Sequence, residues 1–130
     1  MKVTIDQEFW DLFPQAQVVV MTVEGIDNHV DESKDSYFKD LLDKGVARSK
    51  AFIDDEQFTA SPVVQEWRQA FSKFKTKKGA RSSIEALLKR VSQGREFYPI
   101  NPLVDLYNSV SLAYAIPCGG EDMEKLAGGL

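Results

Sequence analysis

The sequence predicts an α+β fold, a small mixed or antiparallel sheet with several helices packed on it. Three observations lead there. One strongly β-branched run, Val18-Val19-Val20-Met21-Thr22-Val23, has the bulk of a buried strand. Helix starts of the Ser-Pro, Ser-x-x-Glu and Asn-Pro kinds then follow one another from Ser61 onward. Strand signals therefore come first and helix signals after, which is the order of α+β folds.

The elements follow in chain order. Val3 to Ile5 alternates and is expected as a short strand, and Phe9, Trp10, Leu12 and Phe13 then cluster on one or two helical turns before Pro14. Gln17 to Gly25 is the expected central strand. The acidic stretch Asp27 to Asp35 reads as a loop into a helix from Ser36, with Tyr37, Phe38, Leu41 and Leu42 as its apolar stripe and Gly45 near its end. Ser61 caps and Pro62 opens the next helix, because proline at the first helical position lacks an N–H that would have no partner there. Val63, Trp67, Ala70, Phe71 and Phe74 form its core stripe, which ends in the basic turn Lys75-Thr76-Lys77-Lys78-Gly79-Ala80-Arg81. Ser82 with Glu85 is a capping box, Ile84, Leu87, Leu88 and Val91 form the apolar face behind it, and Gly94 closes that helix. Asn101-Pro102 opens the last helix, with Leu103, Leu106, Val110 and Tyr114 expected to face inward, and Pro117-Cys118-Gly119-Gly120 breaks it.

No repeat or linker divides the chain, so residues 1–130 are expected as one domain. Two or three strands make a poor sheet alone. The sheet is therefore expected to be completed by strands beyond the chain end or from a partner, and the resemblance given below implies that the chain is the N-terminal portion of a larger domain. A homo-oligomer is one such arrangement.

Composition narrows the function classes. With 43% hydrophobic and 28% charged residues the chain is neither disordered nor membrane-like. No apolar run approaches the roughly 20 residues of a membrane span, and the acidic N-terminus is unlike an export signal. A cytoplasmic location without membrane contact is the expectation. The single cysteine, Cys118, excludes an internal disulfide. The net charge of −4 is unevenly spread. Residues 67–95 hold nine Lys or Arg against Glu85 alone, whereas residues 1–66 hold six basic against fourteen acidic. A block of that kind can meet phosphate while the whole chain stays acidic. Arg68, Lys73, Lys75, Lys77, Lys78 and Arg81 are the candidate phosphate contacts, and the resemblance given below makes RNA, with no DNA, the partner expected for them.

Most catalytic patterns fail on the residues. His29 is the only histidine and lies in an acidic loop, where a triad has no framework. Cys118 lacks a basic neighbour to activate it as a nucleophile. Lys77-Lys78-Gly79-Ala80-Arg81-Ser82-Ser83 lacks P-loop spacing. The adjacent carboxylates Asp54, Asp55 and Glu56 point to different sides, so no metal site and no cofactor are expected. The last helix is more informative. Helical spacing sets Asp105, Asn108 and Ser109 on one face among apolar neighbours, where polar groups either satisfy each other or line a pocket. Gly119 and Gly120 follow, and their missing side chains would let a ligand approach the backbone.

Three blocks in order, Arg81-Ser82-Ser83-Ile84-Glu85-Ala86-Leu87, Asn101-Pro102-Leu103-Val104-Asp105-Leu106-Tyr107-Asn108, and Pro117 with Asp122, resemble the RxSxEAL, NPLVDxxN and PxGxxD signatures of the phenylalanyl-tRNA synthetase beta chain. They belong to its tRNA-binding and editing module, the third and fourth domains, and the version here is closer to free-standing bacterial relatives. The resemblance covers roughly residues 60–130. It implies tRNA or aminoacyl-tRNA as partner, and hydrolysis of mischarged aminoacyl-tRNA as the family's activity. Asn108 matches a pocket asparagine, while Tyr107 stands in place of a threonine and Gly119 in place of a histidine. The expected function is therefore an RNA-associated domain that binds tRNA, with trans-editing as an aminoacyl-tRNA deacylase one form of it. The alternative is a noncatalytic RNA-binding or small-molecule-binding module on the same fold.

Overall fold

The computed structural model describes residues 2–128, and it is helical. Five α-helices are present among them: α1 (Gln7–Leu12), α2 (Asp35–Ser49), α3 (Pro62–Ser72), α4 (Ser83–Ser92) and α5 (Pro102–Tyr114), joined by three short 3-10 turns. The expected α+β sheet is absent, since no strand occurs among the described residues. Residues 2–5 and 16–24 are irregular. The run meant for the central strand is open to solvent, with Val19 91% and Met21 80% exposed. β-branched residues favour strands because they pack against cross-strand neighbours, and no neighbouring strand stands beside this run to supply them.

The chain forms two compact units. The first comprises the described residues of Met1–Ile26 and Glu121–Leu130. Its order centres on α1, where Phe9 meets Trp10 edge-on at 5.1 Å and Phe13 at 5.4 Å between ring centroids. The second unit, Asp27–Gly120, contains α2 to α5. Its core has two clusters: Leu42, Val91, Phe97 and Leu112 in one, and Ile84, Leu88 and Ala115 in the other. Half-buried Ile53 and Leu87 pack against both clusters.

Helix α2 packs along α5, and this pair is the spine of the unit. Gly45 does not end α2 as expected, because the helix continues to Ser49. A Cβ on Gly45 would sit 2.9 Å from the Ser109 carbonyl oxygen and 3.1 Å from Leu112 Cβ. The glycine is therefore a contact point that lets the two backbones approach. That approach also decides which face of α5 is buried. Asp105, Ser109, Ser111 and Leu112 face the interior, while Leu106, Val110 and Tyr114, expected inside, are 44%, 41% and 56% exposed.

Helix ends explain the remaining order. Asn101 Oδ1 accepts the Val104 N–H at 3.0 Å behind Pro102, as the Asn-Pro signal predicts. At α4 the Ser82 hydroxyl accepts the Glu85 N–H at 3.3 Å, which is half of the capping box. Ser61 does not cap α3 with its side chain; its buried Oγ accepts the Asp54 N–H at 2.9 Å and ties down the preceding loop. Ala115 ends α5 in the left-handed region at φ 54°, a conformation costing about 1–2 kcal/mol without glycine. Its methyl packs on Ile84 and Leu88, which offsets part of that cost. No helix among the described residues is long and apolar enough to cross a membrane.

Candidate functional site

Two polar residues on the buried face of α5, Asp105 and Ser109, bond within their own segment. Asp105 is 1% exposed, and its two carboxylate oxygens accept the Ile100 N–H at 2.9 and 3.1 Å. It clips the chain entering α5 to the helix itself. Burial raises its pKa above the ordinary value, partly offset by the Ile100 hydrogen bond, and nearby Asp35 adds to the rise. The Ser109 hydroxyl donates to the Leu106 carbonyl at 2.7 Å, within its own helix. Gly119 has open space where a side chain would be, and Gly120 lies against Leu103 and Tyr107. Asn108 is half-buried, and its amide has no hydrogen-bond partner among the described residues. Of the five pocket candidates, then, Asp105 and Ser109 are committed to local structure, and Asn108 keeps its donor and acceptor capacity.

The N-terminus of α5 is also occupied. Asn28 Oδ1 accepts the Leu103 N–H at 2.8 Å, and Asn101 takes the Val104 N–H with its side chain. The helix end that would attract an anion is thus already satisfied from within. Beside it lies a cavity of about 140 Å³ lined by Asp31, Glu32, Asp35 and Asp105. Four carboxyl groups around one small space repel phosphate. No grouping of three or more His, Cys, Asp or Glu among the described residues could hold a metal ion.

The basic block is organised differently. Arg68 on α3 donates to Glu85 on α4 from Nε at 3.2 Å and from a terminal nitrogen at 2.8 Å, a two-pronged ion pair. Arg81 approaches the same carboxylate at 3.4 Å, and its other end donates to the Ala80 carbonyl. The Glu85 side chain is 5% exposed, so α3 and α4 are joined by a charge held out of water. These two arginines, expected as RNA contacts, are therefore first of all fasteners. Lys75, Lys77 and Lys78 lie in the exposed turn between the helices, with no carboxylate paired to them among the described residues. Lys73 sits exposed at the end of α3. The lysines thus project from a turn whose two flanking helices are locked together.

A second cavity, about 270 Å³, opens at this same place, lined by Trp67, Arg68, Phe71, Thr76, Arg81 and Glu85 among others. Sequence reasoning assigned Trp67 and Phe71 to the core. Their position just ahead of a lysine-rich turn is the signal that a recess with aromatic walls adjoins the cations.

Residues 66–130 match the family model of the B3/4 domain, half of the chain and the part that includes most of α3, the lysine turn, α4 and α5. No curated protein and no solved structure matches this chain.

Proposed function

The chain belongs to the B3/4 domain family, the domain of the phenylalanyl-tRNA synthetase beta chain, and from that premise we propose that it binds tRNA through the lysine turn between α3 and α4. The observation that carries this is the turn itself: Lys75, Lys77 and Lys78 exposed and without acidic partners, on a segment with a charge balance of +8. Lysines of that kind supply phosphate contacts, and each contact releases counterions from the RNA. The acidic surface elsewhere restricts the approach of RNA to this side, because like charge repels it from Asp31, Glu32 and Asp35.

Replacing the three lysines with alanine should weaken tRNA binding and lower the slope of log affinity against log salt by about two, at roughly 0.7–0.9 for each phosphate that is no longer neutralised. A titration over a range of salt concentrations reads both effects. An unchanged slope would show that the turn is a solvated surface and would sink the proposal.

One observation favours hydrolysis as a second reading: Asn108 keeps a free amide on a helix where its neighbours Asp105 and Ser109 are used. Such an amide can donate to an ester carbonyl or hold a water. Release of tyrosine from mischarged tyrosyl-tRNA(Phe), abolished in Asn108→Ala with binding retained, is the outcome expected of a deacylase. Binding without turnover would leave a tRNA-binding module and remove the hydrolytic reading.

A further inference from the structure

We infer that the cleft between α3 and α4 accepts one unstacked base of single-stranded RNA, while the lysines beside it hold the phosphates on either side. The inference rests on the RNA-binding reading and specifies which kind of RNA structure is bound. It starts from the lining. Trp67 and Phe71 give the cleft aromatic surface, and Thr76 brings a hydroxyl that can both donate and accept. Two guanidinium groups, Arg68 and Arg81, share the single carboxylate of Glu85, so the lining keeps a net positive charge. Aromatic surface next to excess positive charge suits a planar ring attached to a phosphate, which is a nucleotide.

Size and rigidity narrow this further. Ligand pockets commonly run from about 300 Å³ upward, so a 270 Å³ cleft suits one base or nucleoside and not a longer unit. Trp67 packs against the cluster of Ile84, Leu88 and Ala115, which fixes the indole before any ligand arrives. The Arg68 plane is held likewise by its two-pronged bond to Glu85, and a fixed guanidinium is a good stacking surface for a base. Bases inside a duplex cannot reach such a recess, whereas those of loops and single-stranded ends can be splayed out onto aromatic and arginine planes. Thr76 lies within the lysine turn, between Lys75 and Lys77, so a base in the cleft places its own backbone among those side chains.

The test varies the RNA, so that no result depends on whether a cleft variant folds. In a Trp10→Phe background Trp67 is the sole tryptophan of the two in the chain, and its fluorescence reports on the cleft. The protein is titrated with a short single-stranded oligoribonucleotide, the same oligomer made abasic, a blunt RNA duplex and a free mononucleotide. The expected result is quenching of Trp67 by the single strand and affinity about five- to a hundredfold above the abasic oligomer, the range of one stacked base. Equal affinity for the abasic oligomer with unchanged fluorescence overturns the base site and leaves phosphate binding standing. Failure of every RNA to bind overturns the RNA-binding reading and this inference with it. Mononucleotide binding as tight as that of the oligomer overturns the RNA assignment in favour of a free nucleotide ligand.

Discussion

Asp105 shows how a residue chosen for chemistry is used for structure. Sequence spacing places it on a face with Asn108 and Ser109, which is correct, but spacing carries no information about which backbone N–H lies opposite. The Ile100 N–H takes up both carboxylate oxygens. Because burial raises the folded pKa above the ordinary 3.8, the folded state holds this proton more tightly than the unfolded state does. The stabilisation linked to that proton is complete below the unfolded value and is lost as pH rises through the folded one. Asp105→Asn keeps an acceptor for Ile100 and removes the titration. The stability of the native chain relative to this variant should therefore fall as pH rises above the ordinary carboxyl value of 3.8. Denaturant midpoints of both proteins across that rise would test it, and a pH-independent difference would show the carboxyl to be solvated in the fold.

At the scale of elements, what the sequence makes legible is whatever is decided within a turn of helix. The Asn101 cap and Pro102, the Ser82 cap and the helices behind them depend on neighbours three or four residues away, and they form as read. The Val18 to Val23 strand needed a partner strand from elsewhere, and β propensity alone could not provide one. The buried face of α5 was misread for a related reason. Leu106, Val110 and Tyr114 are its larger apolar residues, but the α2 contact at Gly45 selects small ones, Ser109 among them. Gly45→Ala weighs the two effects against each other. In a free helix it would stabilise by roughly 1 kcal/mol. Here the new Cβ meets the Ser109 carbonyl at 2.9 Å, and forcing two backbones apart costs about 1–3 kcal/mol. Net destabilisation is expected in equilibrium unfolding, and a more stable variant would show that α2 and α5 slide apart at little cost.

For the whole molecule, every buried apolar residue among those described, from Phe38 to Ala115, falls within Asp27–Gly120. The piece spanning residues 27–120 should therefore fold alone, with a cooperative thermal transition by circular dichroism. A gradual loss of helix would show that the core depends on residues outside it. Charge is divided as sharply as hydrophobicity, with the basic excess confined to residues 67–95 and held by one carboxylate. That carboxylate, Glu85, has the wrong sign for the RNA-binding surface proposed above. Yet by drawing Arg68 and Arg81 together it fastens both ends of the segment carrying the lysines. A loop closed during folding has already given up the conformational freedom that a partner would otherwise have to remove on binding. Under the proposed reading, an anion placed among cations thus helps them bind another anion, through the entropy of the chain between them.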